Sequence, residues 1–218
     1  DNYAGVSWSD IPAEDGRRLL IGWMSNWKYA QLTPTESFRG AMTVPRELAL
    51  ESRNGTTVLT QRPVRELERV RRTVLSLANV AAGEVEVALR SLRLDSFELV
   101  AEAAPGASFA FKVRAGDGQE TVVGVNAASG EVYVDRTKSG QHELHEQFRG
   151  VPSAKLHSAG EKLELRIFVD RASVEVFANA GEAVITDLIF PGPEATGISL
   201  AAETEFVLKL LTIYELAP

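Results

Sequence analysis

Apolar residues recur at every second position through much of the chain and seldom at helical spacing. The clearest cases are Leu163-Glu164-Leu165-Arg166-Ile167-Phe168-Val169-Asp170 and Val174-Glu175-Val176-Phe177, whose alternation predicts strands with one buried face. Shorter runs punctuated by Gly, Pro, Asn and Asp predict strands near 3–9, 18–24, 41–50 and 56–60. Ten more are expected over 84–89, 96–103, 108–114, 121–126, 131–135, 162–170, 173–178, 183–189, 198–202 and 206–214. Turns fall at Pro12 to Gly16, Asp170-Arg171-Ala172 and Asn179-Ala180-Gly181. Asn54-Gly55 marks a hairpin, because both residues tolerate positive φ.

Residues 61–74 interrupt this pattern. Pro63 suits a first helical position, and Val64, Leu67, Val70 and Val74 recur at helical spacing among Arg65, Glu66, Glu68, Arg69, Arg71 and Arg72, which predicts a linker helix with a solvated charged face. The chain is therefore expected to be all-β in three parts: residues 1–60 with the strand content of one propeller blade, the linker at 61–74, and a sandwich of two antiparallel sheets over 75–218. A lone blade cannot bury both of its faces.

With 44% hydrophobic residues among 218, the chain can fill a substantial core. Thirty acidic against 23 basic residues give a net charge of −7, which disfavours nucleic acid and anionic membrane surfaces and fits neutral substrates. Without cysteine there is no disulfide, thiolate nucleophile or thiolate metal site. His142, His145 and Glu146 cluster in a polar stretch, but three histidines in all make a poor metal set; neither metal nor cofactor is expected. No signal peptide or membrane span is visible, so a secreted and a cytoplasmic bacterial protein both fit.

Five segments in order carry a resemblance: Asp1-Asn2-Tyr3-Ala4-Gly5; Gly22-Trp23-Met24-Ser25-Asn26-Trp27; Arg39-Gly40-Ala41-Met42-Thr43-Val44-Pro45-Arg46; Tyr133-Val134-Asp135-Arg136-Thr137; and Ile167-Phe168-Val169-Asp170-Arg171 with Ser173-Val174-Glu175-Val176-Phe177. The chain is similar, over nearly its whole length, to the C-terminal part of the β-fructosidases of glycoside hydrolase family 32, of the exo-inulinase, levanase and invertase type. The resemblance implies the last blade of a five-bladed β-propeller followed by a C-terminal β-sandwich, and a retaining hydrolase that releases fructose from fructans or sucrose. Such chemistry needs two carboxyls about 5 Å apart, an Asp nucleophile and a Glu acid/base. The family places these and a third, fructose-holding carboxylate in Asn-Asp-Pro, Glu-Cys and Arg-Asp-Pro segments of earlier blades, none of which occurs here. No catalytic residue is assigned; the isolated chain is expected to be inactive, and its partner to be a preceding propeller segment.

The substrate-binding candidates are Trp23, Trp27, Asp1, Asn26 and Tyr3. By resemblance the two tryptophans belong to the pocket wall, where an indole offers a broad apolar face to a sugar's C–H side. Four residues apart in a strand they would share a face, so both as blade core is the rival reading. Asp1 sits where the family places a polar group near the leaving-group side; Tyr3 and Asn26 are weaker candidates. Arg39 and Arg46 are expected to fix carboxylates of neighbouring blades. Asp135, Arg136, Asp170, Arg171 and Glu175 read as ordinary turn and strand charges. Asn54-Gly55-Thr56 fits the N-glycosylation pattern, but the hairpin explains it without glycan. The alternative is a non-catalytic sandwich module for fructan binding or subunit association, including homo-oligomers. Against a lectin-like face, Trp is absent after residue 72 and the phenylalanines lie in alternating runs.

Overall fold

The computed structural model describes residues 1–36, 39–53, 55–156, 162–202 and 204–216. The all-β expectation holds. Five strands form the first sheet: β1 (Tyr3–Ser7), β2 (Arg18–Met24), β3 (Ala41–Met42), β4 (Arg46–Arg53) and β5 (Thr56–Pro63). They run in the order β1-β2-β4-β5, with β3 also on β2, and every pairing is antiparallel. The β4–β5 hairpin places Arg53 opposite Thr56 as the Asn-Gly turn predicts; Asn54 itself, and with it the sequon, lies outside the described residues.

The expected linker helix is shorter and of another kind, a 3-10 helix over Arg65–Val70 with Glu66 and Glu68 in its first turn. From Arg71 the chain extends at once into β6 (Arg71–Ala81), an eleven-residue strand whose first four residues the helical spacing had assigned to the linker and whose remainder fell under no predicted strand. The expected strand at 84–89 is also overturned: Ala82–Leu89 is an α-helix, α1. Glu84-Val85-Glu86-Val87 alternates like a strand, but Val85 and Leu89, four apart, are both fully buried while Val87 is 64% exposed. Helical spacing is what lets this segment cap the end of the core. A Glu84 carboxylate oxygen accepts the Ala81 N–H at 3.4 Å at its start.

The rest of the chain supplies β7 (Phe97–Ala103), β8 (Phe109–Gly116), β9 (Gln119–Asn126), β10 (Glu131–Lys138), β11 (Ser153–Lys155), β12 (Leu163–Asp170), β13 (Ser173–Ala178), β14 (Ala183–Leu188), β15 (Gly197–Ala202) and β16 (Val207–Leu216). They assemble into a five-stranded sheet, β11-β10-β9-β8-β15, and a six-stranded one, β14-β13-β12-β7-β16-β6. Between the two lies the main core, including Leu99, Phe111, Val134, Leu165, Ile167, Val176 and Ile213, all fully buried. Each such side chain contributes about 1.5–3 kcal/mol through removal from water.

The first sheet packs on the outer face of the six-stranded sheet at β13 and β14. A second apolar cluster forms there, with Met24 at the end of β2 and Tyr29 from the turn that follows meeting Phe148 and Leu188 from the sandwich. At Gly181 (φ +83°) the sandwich backbone comes so close to β5 that a Cβ would lie 1.9 Å from the carbonyl oxygen of Gln61. Only glycine meets both the left-handed conformation and this approach.

Candidate functional site

Trp23 occupies the penultimate position of β2, paired in register with Tyr3 on one side and Met42 on the other. Its indole lies against the backbone of Gly40 (φ +83°), where a Cβ would come within 2.5 Å of Nε1. Trp27 is not in the strand at all; β2 ends at Met24 and a turn follows, so the shared-strand-face argument does not apply. The turn nonetheless brings the two indoles to 5.0 Å between ring centroids, and the Tyr3 ring lies edge-on to Trp23 at 6.4 Å. Asn26 makes that turn: its side-chain oxygen accepts the Lys28 N–H at 3.0 Å, and its carbonyl accepts the N–H groups of Tyr29 and Ala30. Trp27 is 69% and Tyr3 57% exposed, with Trp23 half-buried beneath them. Four of the five candidates thus share one exposed aromatic corner.

Asp1 is engaged elsewhere. Its carboxylate is almost completely buried, receiving an N–H of Arg136 at 2.8 Å, the backbone N–H of Leu188 at 3.0 Å and the hydroxyl of Tyr29. Arg136 also donates to the Leu188 carbonyl at 2.9 Å and lies over the Phe148 ring at 4.0 Å. Asp187, 3.6 Å from Arg136, completes the cluster; burial pushes its carboxyl up to about 6 against the opposing pull of Arg136, and its Oδ2 has no hydrogen-bond partner among the described residues.

A second buried cluster lies alongside. Arg46, 2% exposed, donates to Glu175 Oε2 at 2.6 Å, to Thr186 Oγ1 at 2.5 Å and to Gln61 Oε1 at 2.9 Å, and sits 5.2 Å from the Phe177 ring centroid. Its carboxylate partner belongs to the sandwich, where neighbouring blades had been expected; Arg39 is exposed. Burial raises the Glu175 carboxyl above its usual range while Arg46 and the Val44 N–H pull it down. Arg136 and Glu175, read from sequence as ordinary charges, therefore tie the two parts together. Asp135 and Asp170 do fit that reading: the first accepts from the Thr137 N–H and hydroxyl, the second from the Arg171 N–H in the turn. Arg171 pairs with Asp95 at 2.8 Å.

Among the described residues no group of three His, Asp or Glu side chains is placed to hold a metal ion. His142 and His145 make local backbone contacts, to the Gly140 carbonyl and the Gln147 N–H. In the sandwich Phe97, Phe109, Phe111, Phe168 and Phe177 are buried, and Tyr133 and Tyr214 are half-buried. A cavity of about 490 Å³ opens between the two parts near Thr33, Gly40, Asp95, Asp170 and Phe190, and includes none of the five candidates.

Residues 66–215 match the model of the glycosyl hydrolases family 32 C terminal domain, and residues 1–63 that of the family 32 N-terminal domain. A levanase of Bacillus subtilis is 44% identical over 99% of this chain and 33% of its own length. An extracellular exo-inulinase of Aspergillus ficuum is 32% identical over 93% of this chain and 38% of its own length. The crystal structure of exo-inulinase from Aspergillus awamori superposes with a TM-score of 0.85 at 28% identity, covering all of this chain and 43% of that one. The chain spans about a third of the length of these curated relatives.

Proposed function

This chain belongs to glycoside hydrolase family 32, and on that premise we propose that it is the C-terminal portion of a retaining β-fructosidase that releases fructose from fructans or sucrose. The observation that carries this reading is the exposed corner of Tyr3, Trp23 and Trp27, in the stretch matching the family's N-terminal domain. The indole faces would take the C–H side of a terminal fructosyl unit, and Asn26 would fix the turn that aims Trp27. The nucleophile and acid/base would come from preceding blades. Asp1, its carboxylate held by Arg136, is assigned to the joint with the sandwich and not to the sugar.

The surface of the first sheet supports a neighbour that completes it. All five residues of β1 are exposed and, among the described strands, pair only with β2, an open edge that proteins ordinarily cover. Val6, Met42, Leu50 and Leu59 are 49–74% exposed, apolar area that adjacent blades would bury. The sandwich then serves as a brace, and its buried phenylalanines disfavour an independent fructan-binding face.

The test replaces the corresponding segment of the B. subtilis levanase with this chain and measures fructose release from levan, inulin and sucrose. The chimera is expected to hydrolyse and the isolated chain to release nothing. A folded but inactive chimera, or fructose release by the isolated chain, would overturn the reading. Within the active chimera, Trp27→Ala should lower kcat/KM at least about tenfold, roughly 1.4 kcal/mol, and leave the melting temperature nearly unchanged because the indole is mostly exposed. Unchanged kcat/KM would remove Trp27 from the pocket wall.

A further inference from the structure

We propose that Glu175, a residue of the sandwich, is a positioning residue for the fructosyl pocket, holding the segment that fixes the Trp23 indole; this rests on the β-fructosidase reading above. Glu175 projects from β13 on the side facing the first sheet and is 2% exposed. Its two oxygens divide their work: Oε1 accepts the Val44 N–H at 2.7 Å and Oε2 accepts from Arg46 at 2.6 Å. They pin both sides of Pro45, in the connection from β3 to β4.

The neighbouring residue passes the constraint on. The Thr43 N–H donates to the Gly22 carbonyl at 2.9 Å, and the Thr43 hydroxyl accepts the Gly22 N–H at 3.0 Å. Those two bonds staple residue 43 to the residue before Trp23. On the other side of Thr43, Met42 pairs with Trp23, and Gly40 forms the backbone bed on which the indole lies. Residues 40–46 thus touch Trp23 at one end and Glu175 at the other. Ordering of a binding wall by groups that never meet the sugar matters because a displacement of about 1 Å is enough to spoil a positioned contact, and here the contact at stake is the indole's hold on the sugar.

The carboxylate is suited to this by shape and charge. Glutamine would keep an acceptor for the Val44 N–H but lose the charge that engages Arg46, whereas alanine removes both contacts. The comparison is therefore graded. In the active chimera, Glu175→Ala should raise KM for levan at least about fivefold with kcat within about twofold, the pattern of lost uniform binding. Glu175→Gln should lie between Glu175→Ala and wild type. Val134→Ala, a fully buried sandwich position away from the joint, serves as the control for lost stability alone.

A second readout does not depend on activity. In the 218-residue chain with Trp8 and Trp27 changed to Phe, acrylamide quenching reports Trp23 alone. Glu175→Ala should raise the quenching constant at least about twofold relative to the parent single-tryptophan chain, with Glu175→Gln smaller and Val134→Ala unchanged. If Glu175→Ala lowers stability as Val134→Ala does but moves neither KM nor quenching, Glu175 is merely structural. If Glu175→Ala does not fold, wild-type KM and quenching in Glu175→Gln would equally reduce Glu175 to a structural role. A chimera without fructose release but with increased quenching in Glu175→Ala would overturn the functional reading and leave the positioning of Trp23 standing.

Discussion

Arg46→Ala should destabilise the 218-residue chain by about 3–5 kcal/mol, because it strands a buried carboxylate. Arg46 and Glu175 are each 2% exposed, and Arg46 is the guanidinium that the Glu175 side chain meets. The loss also takes donors from Thr186 and Gln61 and a cation from the face of Phe177. Glu175 is already held above the usual carboxyl range by burial, so without Arg46 it should take up a proton at still higher pH. The deficit of the variant should therefore shrink as pH falls from about 8 to about 5. Urea unfolding at both values measures it. The double variant Arg46→Met with Glu175→Leu should recover most of the loss, since apolar replacement of a buried pair is often neutral. A single variant within about 1 kcal/mol of wild type at pH 8 would mean that the pair contributes little to the joint.

Asp187→Asn should act in the opposite direction and depend on pH. In the folded chain the Asp187 carboxyl is pushed up to about 6, above its ordinary 3.8, by burial beside Arg136 and Asp1. A raised folded value means that the folded state binds the proton more tightly. Stability from this group is fully present below about pH 4 and is lost as pH rises through about 6. The loss at pH 7.5 is on the order of 3 kcal/mol. Asparagine keeps the shape and carries no charge to desolvate, and Arg136 retains Asp1 as its partner. The variant should match wild type near pH 4 and melt several degrees higher near pH 7.5, at about 2–4 °C per kcal/mol. Equal melting temperatures at both pH values, or a lower one at pH 7.5, would contradict the assignment.

The strands that alternate cleanly, such as β12, were legible in the sequence because one face meets the core. Alternation alone misled at α1, where the residues that mattered were Val85 and Leu89 and the intervening glutamates only imitated a strand. It also failed at β6, whose arginines include Arg71, held by the buried Glu98. The aromatic corner was legible as residue types, but the turn that brings Trp27 to Trp23 was not. The joint was hardest to see, because its charged residues stand at positions that alternation assigns to solvent. A trace was present all the same: Ile167-Phe168-Val169 and Val176-Phe177 put apolar groups on both faces of β12 and β13, which signals a sheet covered on both sides. Glu175 shares the covered face with Phe177, two residues on in the same strand.

The strand order of the six-stranded sheet also sets a timetable. β6 follows directly on the first sheet, yet its partner in the sheet is β16, which is synthesised last of the described strands. On a ribosome adding about 5–20 residues per second, β6 must wait through the emergence of every other sandwich strand before it has an edge to join. Until residue 216 is available, the sheet from β7 to β14 lacks its closing pair, and β6 has no strand to join even though β13 and β14 can already receive the first sheet. The arginines and glutamates of residues 65–72 suit that interval, since they keep the waiting strand hydrated and charged. Cleavage that removes only β16 should accordingly release far more structure than its ten residues contain.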